Sequence, residues 1–359
     1  MLGLILAVLL TVSCMPQGAK KQKASLLPTA VPAEQSTPTA AATPAPTPTP
    51  ASTAAPTSAP TAAPTPEPTP APTPEPTETP VPAPTPFSIV WFGDTQYYSR
   101  HRPDVFLSMR DWVLKERETR NFVFFVHTGD VVDGCVQWMW DNVTEALMPI
   151  LDEIPGMIAS GNHDIGGDER QSFFYNRPYA KAVQKEGQTY RKGEAAYTTF
   201  TAGGTEFLVF GMGYEVQGLG VVNWVKTVVD EHPEATILFL VHYGLQSNGL
   251  LTGQARELYQ YIVESTPNAR LLLCGHNVGM RLREDRIDDD GDGAGDRSFY
   301  TMQFNLQDDE TDGLGYLRIL TFDPADRHIE VSVYSPWFDL WEYPKASPEE
   351  NHFILEHAY

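Results

Sequence analysis

The chain has 359 residues, 31 of them proline, and a formal net charge of −21. That charge excludes binding to nucleic acid or to an anionic membrane by bulk electrostatics, though not a phosphate-bearing substrate, because a bound cation reverses the field locally. Its three cysteines are too few for a disulfide scaffold. Cys135 and Cys274 read as free thiols, with a single bridge between them as the alternative.

Met1 to Leu10 is almost wholly apolar and leads into Thr11-Val12-Ser13-Cys14. It is too short to span a bilayer and suits a signal-peptide core. Small residues directly before a cysteine resemble a bacterial lipoprotein cleavage box, with Cys14 as the lipidated residue. Thr11 and the lack of basic residues ahead of the core depart from that pattern, and an ordinary secretory signal is the alternative. Either reading exports the protein. Lys20 to Lys23 is a small basic cluster, solvated or set against an anionic bilayer. Residues 15–86 are mostly Thr, Pro and Ala with sparse Glu. Such a stretch has no core-forming residues and stays an extended tether, at about 3.1 Å per residue where it is polyproline II. The chain thus divides into a leader (1–14), a tether (15–86) and one domain (87–359).

Within the domain, Ser88 to Phe92 reads as a buried strand, followed by a polar loop from Tyr97 to His101. Asp104 to Glu118 places Val105, Met109, Trp112 and Val113 at helical spacing. Phe122 to Val126 is an aromatic-rich strand, Trp138 to Asp152 a helix, and Gly156 to Ala159 a strand. Residues 170–192 are aromatic and basic without a period and read as an insertion over a rim. Ala196 to Thr201 and Thr205 to Gly211, separated by Gly203-Gly204, read as a hairpin. Val221 to Asp230 is a helix, Thr236 to Val241 a strand, Ala255 to Glu264 a helix and Arg270 to Leu273 a strand. Ser298 to Asn305, Tyr316 to Phe322 and His328 to Tyr334 alternate as strands. This order predicts an α/β fold, a four-layer α-β-β-α sandwich of two packed mixed sheets with flanking helices.

Five of the apolar runs end abruptly in polar groups. They run into Asp94-Thr95-Gln96, Gly129-Asp130-Val131-Val132-Asp133, Gly161-Asn162-His163-Asp164, His242 and Gly275-His276. Strand tips are where open α/β sheets bind ligands. Asp, Asn and His are ligand types for a hard or borderline divalent ion. Taken singly, each of these residues could cap a turn or be a satisfied core histidine.

Together, in this order, they resemble the calcineurin-like metallophosphoesterases, whose pattern is D-x-H, G-D-x-x-D/N, G-N-H-D/E, a lone His and G-H-x-H. The resemblance covers essentially the whole domain. It implies a metal-dependent phosphoric ester hydrolase, acting on a phosphomonoester or phosphodiester through a hydroxide shared by two divalent ions (Mn, Fe, Zn or Mg). It implies further that Asp130 bridges the two ions, that Asp94 binds the first, and that Asn162, His242 and His276 complete the second. His163 would contact the phosphate or protonate the leaving oxygen, oriented by Asp164. A bridging carboxylate can hold two cations about 3.5–4 Å apart.

The chain departs from the family pattern twice. Gln96 stands where the first motif has His, and Val278 where the last has His. Both positions serve the first ion. Gln96 offers a carbonyl oxygen and Val278 nothing, so the second ion is expected to bind more tightly. His127 reads as structural, Asp133 as ordering its loop, and Asn277 as bonding to backbone. Tyr97, Tyr98, Arg100, His101, Phe173, Phe174, Tyr175 and Arg177 are candidate rim residues.

Asp288, Asp290, Asp292, Gly293 and Asp296 fit positions one, three, five, six and nine of an EF-hand loop, a candidate calcium site. Phe299 stands where the bidentate Glu belongs, and no helix pair flanks it. The alternative is an acidic, Gly-rich loop between two strands. A phosphate-ester substrate, a monomeric chain and a membrane met only through an N-terminal lipid complete the expectation. A binding module that keeps the fold and one ion but has lost turnover is the other reading, and Val278 supports it.

Overall fold

The computed structural model describes residues 85–165, 182–183, 188–307 and 314–359. The leader with Cys14, the tether up to residue 84, most of the 170–192 insertion, and Phe173, Phe174, Tyr175 and Arg177 lie outside them.

The first half contains β1 (Phe87–Phe92), α1 (Gln96–His101), α2 (Pro103–Glu116), β2 (Phe122–His127), α3 (Gln137–Glu153) and β3 (Gly156–Ile158). Then follow β4 (Thr189–Tyr190), β5 (Ala195–Ala202), β6 (Thr205–Met212), α4 (Leu219–Glu231), β7 (Thr236–Val241), α5 (Gly253–Tyr261) and β8 (Ala269–Cys274). The chain closes with β9 (Gly279–Ile287), β10 (Arg297–Asn305), β11 (Leu317–Asp323), β12 (His328–Tyr334), α6 (Pro348–Asn351) and β13 (His352–Leu355).

The strands form two mixed sheets, ordered β13-β12-β11-β1-β2-β3 and β4-β5-β6-β7-β8-β10-β9. In the first, β1, β2 and β3 run parallel. In the second, β6, β7, β8 and β10 do. The period of two decides what each face packs on. Ile89 and Trp91 of β1 face the other sheet, in one cluster with Val209, Leu240, Leu273 and Phe304. Val90 and Phe92 face outward, onto Val105, Met109, Val143 and Leu147 of α2 and α3. On the second sheet Leu208, Phe210 and Phe239 pack outward against Val225 of α4 and Leu258 of α5. Three buried layers between four layers of structure are the α-β-β-α sandwich that the sequence predicts. Rings tie the sheets together: Phe87 meets Phe207 edge-on at 5.6 Å, and Trp91 meets Phe304 at 5.6 Å.

Several segments differ from expectation: β4, α6 and β13 have no counterpart in the sequence reading, and two others are of another type than expected. Gln96–His101 is a short helix, not a loop; six residues give no helical period to read. The polar run Gly279–Ile287 is an edge strand on β10. Its partly exposed position lets it carry charges that disguise a strand. Neither Cys135 nor Cys274 forms a disulfide; the Cys135 thiol donates to His163 O at 3.5 Å, and burial pushes the Cys274 thiol up to about 12.

Candidate metal centre

Because β1, β2 and β3 run parallel, as do β7 and β8, their carboxyl ends deliver the loops carrying Asp94, Asp130, Asn162, His242 and His276 to one region. The contacts prove the convergence. Asn162 Oδ1 lies 3.1 Å from His242 Nε2 and 3.0 Å from His276 Nδ1, and the two imidazole nitrogens are 3.1 Å apart. Asp130 Oδ2 lies 3.2 Å from His242 Nε2, and Asp94 Oδ2 is 4.0 Å from it. Ligand atoms of Asp130, His242 and His276 all fall within 4.8 Å of one another. Four acceptor-type atoms facing inward repel unless a proton or a cation sits among them. The donor set, one carboxylate, one amide oxygen and two imidazoles, fits a divalent ion.

The backbone is shaped to bring them there. Asp130 and His276 hold φ of 53° and 67°, a region that non-glycine residues enter at a cost and that marks functional loops. Gly161 is required: a Cβ there would fall 2.0 Å from Asp130 Oδ1. Gly275 is required likewise, since its Cβ would fall 2.1 Å from Asp94 Oδ1. The orientation of His242 is fixed by its Nδ1–H, which donates to Thr128 O at 2.9 Å and leaves Nε2 for the centre. Asn305 Nδ2 holds the His276 carbonyl at 3.0 Å. The rings of Tyr214 and Tyr243 lie 5.9 and 4.3 Å from that of His276.

The electrostatics follow from burial of opposite charges. Burial lowers the affinity of His242 for a proton, but Asp130 and Asp94 outweigh this and hold its pKa up at about 9. His276 is pushed down to about 4 by burial and by the neighbouring His242 charge. Burial raises Asp94 well above the carboxylate range, partly offset by His242. Asp130 stays below that range, because His242 and its hydrogen bonds overcome burial.

Asp164 does not orient His163. Its Oδ2 accepts from Asp130 N–H (2.8 Å) and Gly161 N–H (2.7 Å), and its Oδ1 from Val131 N–H (2.8 Å) and Val132 N–H (3.2 Å). Both oxygens are committed to backbone, and Asp164 clips the β2 loop to the β3 loop. Burial, and then Asp130, push it up to about 7. The carboxylate facing His163 is Asp133, with Oδ1 3.1 Å from Nδ1. Asp133 in turn is gripped by Arg100 from α1. The second Asp of G-D-x-x-D was the available signal for this pairing. The backbone N–H of His163 donates to Asp130 Oδ1 at 2.9 Å, so the acid candidate is mounted on the centre itself.

Other expected residues fall as follows. His127 is buried and neutral, bonded to Thr95 Oγ1 (2.9 Å) and accepting from Gly129 N–H (3.1 Å); burial takes it down to about 3. Asn277 Nδ2 donates to Leu245 O at 2.7 Å. Tyr97, Arg100 and His101 line a cleft of about 760 Å³ with Asp133, Arg102 and Leu314. Tyr98 also borders it, but is buried and accepts from Gly315 N–H at 3.0 Å, which makes it a packing residue. Asp288, Asp290 and Asp296 lie together on the exposed β9–β10 hairpin, and Asp292 is not part of their group. Val278 is 46% exposed.

A family profile described as calcineurin-like phosphoesterase matches residues 87–280. A Bacillus subtilis (strain 168) protein, YvnB, itself described as uncharacterized, is 30% identical over 259 residues, which are 70% of this chain and 20% of that protein. The chain therefore spans about a fifth of the length of that relative. Among solved structures, Plasmodium GAP50, described as the anchor in the inner membrane complex, aligns with 76% of this chain and 89% of its own at 13% identity and a TM-score of 0.47. Thermus thermophilus SoxB, a sulfate thiohydrolase, aligns with 74% of this chain and 59% of its own at 11% identity and a TM-score of 0.43.

Proposed function

The chain belongs to the calcineurin-like phosphoesterases, and from that premise we propose that it is an exported, metal-dependent hydrolase of a phosphomonoester or phosphodiester. The observation that carries this reading is the meeting of Asp130, Asn162, His242 and His276 from loops of two different sheets. A divalent ion bound there, of the Mn, Fe, Zn or Mg class, would acidify a water and neutralise phosphoryl oxygens.

The protein's own groups supply the rest. His163 protonates the departing ester oxygen, held in aim by Asp133 at 3.1 Å. Arg100 steadies Asp133 from the cleft side. Arg100 and Arg102 line the cleft, paired with Asp133 and Asp104, so guanidinium groups stand beside the centre on a chain of charge −21 without forming a net basic patch. The leader and tether hold the domain outside the cell, by lipid at Cys14. Converting Cys14→Ser and following the protein from membrane fraction to medium tests that part.

The activity is tested by hydrolysis of nitrophenyl phosphate and bis-nitrophenyl phosphate with added Mn, against Asp130→Asn and His163→Ala. Turnover that both variants lose supports the proposal. No turnover with Mn, Mg or Zn would overturn it and leave the binding module that the exposed Val278 favours.

A further inference from the structure

We infer that this chain binds one divalent ion, not the pair of its family pattern, and that the Gln96 amide occupies the place of the first. The inference rests on the metal-dependent reading above. In the expected pattern the first ion needs two imidazoles, at positions 96 and 278, beside Asp94 and Asp130. Neither position supplies an imidazole here. Gln96 is buried, and its Nε2 donates to Asp130 Oδ2 at 3.2 Å. That oxygen is the one that also faces His242, at 3.2 Å. The bridging carboxylate thus meets the second site on one side and an amide N–H on the other.

Turning the amide over would put Gln96 Oε1 against a carboxylate oxygen, a contact that only a proton or a cation between them would relieve, and would give up the N–H bond to Asp130. In the present orientation Oε1 has no hydrogen-bond partner. Val278 does not compensate, because it is nearly half exposed and has no donor atom. Asp94 does not compensate either. Both of its oxygens lie 3.1 Å from the His276 N–H, and Gly275 is pressed against it. Asp94 serves here as the brace of the His276 loop. The second site keeps its full set of Asp130, Asn162, His242 and His276.

The test is Mn stoichiometry by elemental analysis after equilibrium dialysis of the whole chain, read together with the electron paramagnetic resonance of the bound Mn. We expect one Mn per chain with an uncoupled six-line signal. We also expect one Mn per chain in Gln96→Ala, because Gln96 is not a ligand, and none in His242→Ala. Two Mn with exchange coupling, as ions about 3.5–4 Å apart produce, would overturn the inference and leave the phosphoesterase reading standing. A wild-type chain that retains none of Mn, Fe, Zn or Mg under the same dialysis would overturn both. If Gln96→Ala does not fold, the wild-type count and spectrum decide alone.

Discussion

Two clusters of acids in this molecule look alike as sequence and differ as physics. The central one draws its groups from loops after β1, β2, β3, β7 and β8, buries most of them and leaves their donor atoms facing one another. The other is the hairpin loop between β9 and β10, where Asp288 Oδ1 accepts from Gly291 N–H (2.7 Å) and Asp296 Oδ2 from Asp289 N–H (2.7 Å). Its carboxylates satisfy their own backbone and stand in water. β9 runs nine residues away from the His276 loop, about 30 Å at roughly 3.3 Å per residue, so the hairpin has no share in the centre. Convergence of distant segments, not local acid density, is what distinguishes a site from a turn.

Asp130→Asn should break the contrast most severely. It removes the carboxylate that both sheets' ligands share, and phosphoesterase turnover should fall on the order of 10³-fold or more, since an ion's charge stabilisation is several kcal/mol; retained turnover in a nitrophenyl phosphate assay would mean the centre is misassigned. Asp164→Ala orphans four buried N–H groups at roughly 1–3 kcal/mol each, so urea unfolding should show a loss on the order of several kcal/mol. A near-neutral result would show that Asp164 is not the clip between the two loops.

His163→Ala should lower kcat by about 10²-fold or more, and Asp133→Asn by about tenfold, a loss of ~1.4 kcal/mol in positioning. The telling readout for Asp133 is the dependence of kcat on leaving-group basicity, which should steepen in Asp133→Asn if Asp133 aims the acid and stay unchanged if it only shapes its loop. A smaller effect concerns pH. With its pKa held at about 9, His242 carries a proton at neutral pH that an incoming ion must displace. Affinity should therefore rise with pH, about tenfold per unit at most, and level off above about 9. Calorimetry in buffers of different ionisation enthalpy reads the released proton directly; an affinity flat between pH 6 and 9 contradicts the account.

The smallest effect belongs to the hairpin. Asp290→Ala with Asp292→Ala should leave turnover unchanged and stability within about 0.5 kcal/mol. Its calcium isotherm should match that of the parent chain. A lost calcium site would bring the two clusters closer than the geometry suggests.

The strands that carry the centre were legible because each is an apolar run stopped by Gly, Asp, Asn or His, and a buried parallel strand tolerates little else. The two-sheet architecture followed from helices alternating with strands and then giving way to hairpins. What escaped was set by tertiary contact. The pairing of His163 with Asp133 rather than Asp164 depends on which loop passes nearer, and both carboxylates sit at plausible spacings. β9 escaped because its edge position permits GMRLREDRI. Tyr214 and Tyr243 reach the centre from loops with no motif to announce them. Gln96 was visible as a departure, yet only the 3.2 Å contact to Asp130 shows which end of its amide is engaged.

Asp164 ties the loops of Asp130 and Asn162 into one piece of the first sheet, whereas His242 and His276 ride on the second. An ion at the centre would act as a rivet through both plates of the sandwich. Slow breathing of the two sheets should then be damped when the ion is present, and amide exchange in β1, β2, β7 and β8 should slow together upon loading, far beyond the four residues that touch it.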